Sequence, residues 1–301
     1  MLAVLGGLAE PPARAKTGTR QGTRREDGAE IQTHRPPAAR GDQAPRHEGG
    51  AGARDCPDLQ RFSQHDFKAS GMSAILTIGG VTISVLDGSS VFFFKTGMAI
   101  DADGAPNAYH PLHGRGLDNL ANAGHEGNWY GVVTDTGHKN GTPVIQGPSD
   151  PAPGFYISPT ALQNKHFSRT DPRRYVDSVT IPYISLPGHH GAVLRASLGD
   201  LAMVINGHNG RYCAAIYADV GPRAKIGEGS IALAEALKLN SNARHGGTSS
   251  HSIIYIVFPH SGHGTPLPAA SIRSQGNQLF EAWGGIKQAS ACFPEFAIHL
   301  R

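Results

Sequence analysis

The chain has 301 residues, 39% of them hydrophobic and 17% charged, with a formal net charge of +3. Residues 72–301 hold 16 of the 27 basic and 15 of the 24 acidic side chains, so this part is close to neutral apart from its histidines. It carries no basic stripe with interleaved aromatics, which argues against a nucleic-acid surface, and no stretch approaches the length of a membrane-spanning helix.

Residues 1–71 are rich in Pro, Gly, Ala and Arg and nearly free of aliphatic and aromatic side chains (AEPPARAKTGTRQGTRREDGAE, HRPPAARGDQAPRHEGGAGARD). Such a composition does not offset its chain entropy by burial. The segment is read as a disordered low-complexity tail or an over-extended start, leaving 72–301 as a single β-rich domain. MLAVLGGLAEPPARAK offers an A-x-A-like site at Ala13 and Ala15. Its apolar run is short and no basic residue precedes it, which makes a poor secretory signal. Cys56, Cys213 and Cys292 allow at most one disulfide and form no CxxC or zinc spacing.

From residue 74 the patterning is mostly β. AILTI and VTISV flank Gly79-Gly80, a two-residue hairpin signal. VFFFKTGMAID (91–101), NWYGVVTD (128–135), GFYIS (154–158), SVTIPYISL (178–186), AVLRASL (192–198), LAMVIN (201–206), YCAAIYAD (212–219) and SIIYIVF (252–258) follow as predicted strands, separated by turn chemistry. Two helices are predicted. SIALAEALKL (230–239) has Ser230 as its cap, and the second lies around SIRSQGNQLFEAWGG (271–285). Many short strands with few helices predict a mainly β, compact β-barrel or sandwich.

The residues that bear chemistry are acids at element ends. Asp219 closes a largely apolar strand, where burial perturbs a carboxyl. Glu228 sits between Gly227 and Gly229 at the entrance of the next helix, whose terminus favours the ionised form. Two carboxylates in differing environments suit glycoside hydrolysis, one donating a proton and one activating water. Pattern alone favours the plainer reading, an Asp in a surface turn and a Glu stabilising a helix start. A second acidic cluster, MAIDADGAPNAYHP (98–111), offers Asp101, Asp103, Asn107 and Tyr109 to a polar or cationic ligand. Its twelfth position is Leu112, which excludes a calcium loop of the EF-hand kind. His110/His113 and His260/His263 share an H-x-x-H spacing in loops, and His189, His190 and His208 lie in turns. None carries the HExxH pattern of a zinc hydrolase, no GxSxG elbow is present, and no metal or cofactor is expected.

DADG, the strand ending in Asp219 and GEGSIALAEAL together resemble the glycoside hydrolase family 75 chitosanases. GLDNL (116–120), SDPAPGFYIS (149–158) and DPRRYVDSVTIPYISLPG (171–188) are similar to bacterial members. The resemblance spans roughly 90–260. It implies a compact β-barrel of the double-psi type with one or two helices. It further implies an endo-acting enzyme that cleaves β-1,4 links of chitosan with inversion, with Asp219 and Glu228 as the acid–base pair and Asp101, Asp103, Asn107, Tyr109 and Asp177 lining subsites. Asp118 and Asp135 are further candidates for an acidic cleft. The implied partner is a polysaccharide, with no nucleic acid or membrane, and the protein is expected to be a monomer. An extracellular place is implied, although the N-terminus does not supply its signal. Arg223 and Lys225, beside the pair, sit awkwardly against a polycationic substrate. A non-catalytic carbohydrate-binding barrel and a peptidoglycan-active lytic enzyme are the rival readings.

Overall fold

The computed structural model describes residues 71–296 apart from His189, with only the backbone of Gly191 and Ala192. The expectations for the tail, Cys56 and His189 lie outside the described residues.

The first element is the predicted hairpin, β1 (Met72–Ile78) and β2 (Val81–Leu86). Gly79 and Gly80 turn it with φ of 55° and 82°, the left-handed pair that a two-residue hairpin turn demands. β2 pairs with the start of β3 (Phe92–Asp101), a ten-residue strand. The rest of the barrel comes from β6 (Tyr183–Pro187), β7 (Leu201–Asn206), β8 (Tyr212–Gly221), β9 (Glu228–Ser230) and β10 (Thr248–Phe258). Neighbours run β3-β10-β7-β8-β6-β9, and β9 returns to β3, so six strands close a barrel. The contacts β3–β9 and β6–β8 are parallel and the other four antiparallel. Closure gives these strands pairing partners on both sides and so removes the free edges that invite aggregation.

Alternation sorts the strand residues onto two faces. Phe92, Phe94, Val204, Ala215, Tyr217, Tyr255 and Val257 share one buried cluster, in which Phe94 and Tyr255 stack at 4.7 Å. Phe93, Met203, Ile205, Ile216, Ile254 and Ile256 share the other, with two C-terminal helices packed over it. These are α3 (Ala269–Trp283) and α4 (Gly285–Cys292), joined at left-handed Gly284. Gly276 of α3 lies so close to β8 that a Cβ there would come within 2.5 Å of the Ala214 Cβ. The other predicted helix is α2 (Ile231–Ala236), shorter than expected but capped as expected, since the Ser230 hydroxyl accepts from the Leu233 amide.

Three predicted strands are corrected. AVLRASL (192–198) forms no strand, and its start lies in a single helical turn, α1 (Gly191–Leu194). NWYGVVTD contributes the two-residue β5 (Asn128–Trp129), paired with β4 (Gly124–His125), and an isolated bridge from Thr134 to Pro143. GFYIS keeps one isolated bridge, Ile145 to Tyr156. These segments alternate in hydrophobicity but find no long neighbour, and a strand exists only through its ladder. The last two belong to the long connection between β3 and β6, which folds largely through turns, and the first lies between β6 and β7.

Candidate active site

Four contiguous strands, β3, β9, β6 and β8, place the acids together. Glu228 opens β9 rather than the helix itself, and its register partners are Ala99 on β3 and Ser185 on β6. Ser185 also pairs with Asp219 of β8. One buried serine therefore has a carboxylate on the strand to either side.

The placement of Asp219 depends on an irregularity. Strict alternation would turn Asp219 to the face of Ala215 and Tyr217. Ile184 pairs with Tyr217, but the next residue of β6, Ser185, pairs with Asp219. β8 thus carries one extra residue, Ala218, and this bulge turns Asp219 to the side of Ser185 and Glu228. The chain at 161–162 braces the bulge: the Leu162 amide donates to the Ala218 carbonyl at 2.8 Å and the Ala161 amide to Asp219 Oδ1 at 2.7 Å.

A third carboxylate completes the group. Asp101, at the end of β3, is 8% exposed and accepts from Ser185 Oγ at 2.9 Å and from the Asp103 amide at 2.8 Å. Its carbonyl takes a hydrogen bond from Ser178 Oγ, which itself accepts from the Ile231 amide. Asp103 accepts from the Tyr109 hydroxyl at 2.8 Å and from Ser158 Oγ at 3.0 Å. Gly104, at φ 80°, makes the sharp turn, and a Cβ there would come within 2.0 Å of the Val176 carbonyl oxygen.

Crowded acids in a desolvated place resist ionisation. Burial, then the charge of Asp101, pushes Asp219 up to about 8 in spite of its backbone hydrogen bonds. The same two causes push Glu228 up to about 7, with Lys225 drawing it back. The expected preference of a helix start for ionised Glu228 is thereby corrected. Glu228 lies in a strand ahead of a six-residue helix, and desolvation outweighs the terminus. Asp101 and Asp103 are raised as well, burial first and neighbouring acids adding to it.

The remaining candidates divide. Tyr109 is buried against Asp103 and belongs to the acid group. Asn107 and Asp177 line a separate cleft of about 820 Å³, with Phe155, Glu235, Asn240 and Asn242. The Asp177 carboxylate also accepts from the Val179 amide and the Thr180 hydroxyl, each at 2.9 Å. Asp118 binds the Asn122 amide and Asp135 closes a turn through the Thr136 and Thr142 amides. Glu228 and Ser185 face a smaller cavity of about 310 Å³, shared with Ile78, Ile226, Lys225 and His251. Ser185 is the residue that sequence reasoning missed. A small polar residue inside YISLP was its signal, but its meaning lies in a register that the sequence does not display. Among the described residues no group of three or more His, Cys, Asp or Glu is placed to hold a metal, and no helix is long and apolar enough to cross a membrane.

A family model described as fungal chitosanase of glycosyl hydrolase group 75 matches residues 158–295. It begins later and ends later than the resemblance read from the sequence, so DADG lies outside it. No curated protein matches the chain. The match covers somewhat less than half of the chain, takes in Ser185, Asp219 and Glu228, and makes this part of the chain similar to glycosyl hydrolase group 75, a family of glycoside hydrolases.

Proposed function

We propose that the protein is an endo-acting chitosanase that cleaves β-1,4 links with inversion, using Asp219 and Glu228. The observation that carries this is the flanking of Ser185 by the two acids on its neighbouring strands. Two strand spacings of about 4.7–4.9 Å put their backbones roughly 10 Å apart. Carboxyls carried on such backbones come within reach of the window of about 6.5–9.5 Å that admits a water between acid and base.

Asp219, the more strongly raised of the two, holds its proton near neutrality and is the general acid. It protonates the leaving glycosidic oxygen as the bond to the anomeric carbon breaks. Glu228, which Lys225 draws toward its ionised form, is the base and takes a proton from the water attacking the opposite face. Turnover leaves Asp219 ionised and Glu228 protonated, and exchange with solvent resets both. Asp101, bonded through Ser185, positions the pair and keeps their carboxyls raised. Asp103 and Tyr109 hold this wall, while Asn107 and Asp177 offer polar contacts along the larger cleft. No cofactor takes part. The protein acts on its polymer as a monomer and outside the cell.

The test is product analysis on chitosan, chitin and peptidoglycan side by side, with wild type and Glu228→Gln. Oligomers from chitosan alone, with release reduced about 10²–10⁴-fold in the variant, are the expected result. Undiminished reducing-sugar release by a folded Glu228→Gln would remove Glu228 from the chemistry. Products from peptidoglycan alone would move the substrate.

A further inference from the structure

The two cavities beside the acid group are lined by different residues, yet the same two passes of chain lead from one to the other. Ala99 of β3 and Glu228 of β9 face the smaller cavity. Asn107, beyond the end of β3, and Ile231 and Glu235 of α2 face the larger cleft. β3 and β9 pair in parallel, with Asp101 opposite Ser230, so both passes run from the smaller cavity past the acids toward the larger cleft. Ser178 fixes that passage. Its hydroxyl donates to the Asp101 carbonyl and accepts from the Ile231 amide, while its neighbours Asp177 and Val179 line the larger cleft. Ile231 follows Glu228 by three residues, a reach of no more than about 11 Å.

The larger cleft is equipped for a sugar chain that bears ammonium groups. Asp177 and Glu235 offer carboxylate oxygens, and among the described residues no cation pairs with either within 4 Å. The side-chain oxygens of Asn240 and Asn242 are taken by backbone amides, that of Asn242 at 3.1 Å and that of Arg244 at 2.9 Å. This leaves their amide nitrogens, unbonded among the described residues, as donors for sugar hydroxyls. The Phe155 ring, held edge-on by His110 with centroids 4.7 Å apart, adds an apolar surface on which a sugar face can rest.

We propose that the larger cleft is a holding site, which keeps a chain of protonated glucosamine units on the enzyme after the acids have cut it, so that one encounter yields several cuts. The inference rests on the chitosanase reading above. A polymer held at the acids alone is free to leave as soon as its bond breaks. A second grip on the same chain makes its return to the acids an intramolecular event, at an effective concentration of about millimolar order for a short span. Ammonium groups at Asp177 and Glu235 strengthen that grip in low salt and weaken it as salt screens the pairs. Glu235, which takes no part in the cut, thereby governs how long the chain stays.

The experiment follows viscosity against new reducing ends while soluble chitosan is digested by wild type and by Glu235→Gln, with the curve calculated for random cutting as reference. Glu235 is exposed, and among the described residues its carboxylate takes one hydrogen bond, from the Ser241 hydroxyl at 3.3 Å. The variant is therefore expected to fold, which a melting curve checks. At equal numbers of new ends, wild type leaves the solution more viscous than random cutting does, because its cuts cluster on few chains. Glu235→Gln moves toward the random curve, and raised salt moves wild type the same way. The ratio of kcat/KM on polymer to kcat/KM on the shortest oligomer that is cut falls several-fold in the variant. A wild-type curve that coincides with random cutting, or a curve that Glu235→Gln leaves unmoved, overturns the holding site alone. An equal fall of both kcat/KM values in the variant overturns it too, since Glu235 would then serve the chemistry or the fold. No cleavage of any chitosan by wild type overturns the chitosanase reading and the holding site with it.

Discussion

Across β10, β7 and the first half of β8, one face is built of Ile254, Ile256, Met203, Ile205, Ala214 and Ile216, sealed by α3 and α4. Across β9, β6 and the second half of β8, the same barrel presents Glu228, Ser185 and Asp219. The first region keeps unbroken antiparallel register. The second is made of a three-residue strand, two parallel contacts and a bulge at Ala218. Burying apolar groups stabilises, whereas bringing carboxyls together in a desolvated wall costs free energy. The contrast teaches that the regular face supplies the stability that lets the irregular face hold acids in their strained protonation states.

Changes on the two faces should therefore separate stability from chemistry. Phe280 of α3, 1% exposed, stands for the regular face. Phe280→Ala is expected to lose about 3–5 kcal/mol, read as a fall in Tm of roughly 6–20 °C, with kcat per folded molecule retained. Equal loss of kcat would show the two faces to be coupled. Gly221 stands for the irregular face, since a Cβ there would sit 3.0 Å from Glu228 Oε2. Gly221→Ala is expected to displace that carboxylate by a few tenths of an ångström and lower kcat about tenfold, with little change in Tm.

The cost of the acids is itself measurable. Asp219 titrates near 8 in the folded protein and near 3.9 in an unfolded chain. The folded state therefore keeps a proton that the unfolded state releases. The stability this gives is full below about pH 4 and is lost as pH rises to about 8. Asp219→Asn has no such proton to lose and still accepts from the Ala161 amide. Its Tm is expected to exceed that of wild type at pH 8 by about 2–4 °C or more, and the gap should close toward pH 4. A gap independent of pH would mean that Asp219 is not held protonated. Smallest is the effect of Asp101→Asn. Removing its charge lowers the pKa of both Asp219 and Glu228, so the rate profile should move toward acid by a fraction of a pH unit, while an unmoved profile would leave Asp101 with packing alone.

The regular face was legible in the sequence and the irregular one only in part. LAMVIN, SIIYIVF and VFFFKTGMAID announce themselves as strands because both of their faces are buried, and Ser230 announces its helix by its capping chemistry. Asp219 and Glu228 are visible as acids at element ends. Their meeting is not visible, because it is made by Ser185 on a third strand and by one extra residue at Ala218, and register across strands is a tertiary property. The same blindness produced the strand expected at 192–198, where alternation had no partner to pair with. It also produced the expectation that a helix end favours the Glu228 carboxylate, where burial by distant chain outweighs that end and raises the carboxyl.

The central claim is that Asp219 and Glu228, one strand to either side of Ser185, leave room for water between them. The direct measurement is proton NMR of the anomeric signals in the first minutes of chitosan cleavage, before mutarotation mixes them. The account predicts that the α-anomer appears first, from inversion at a β-linked sugar. Initial release of the β-anomer would place the carboxyls too close for that water and contradict it.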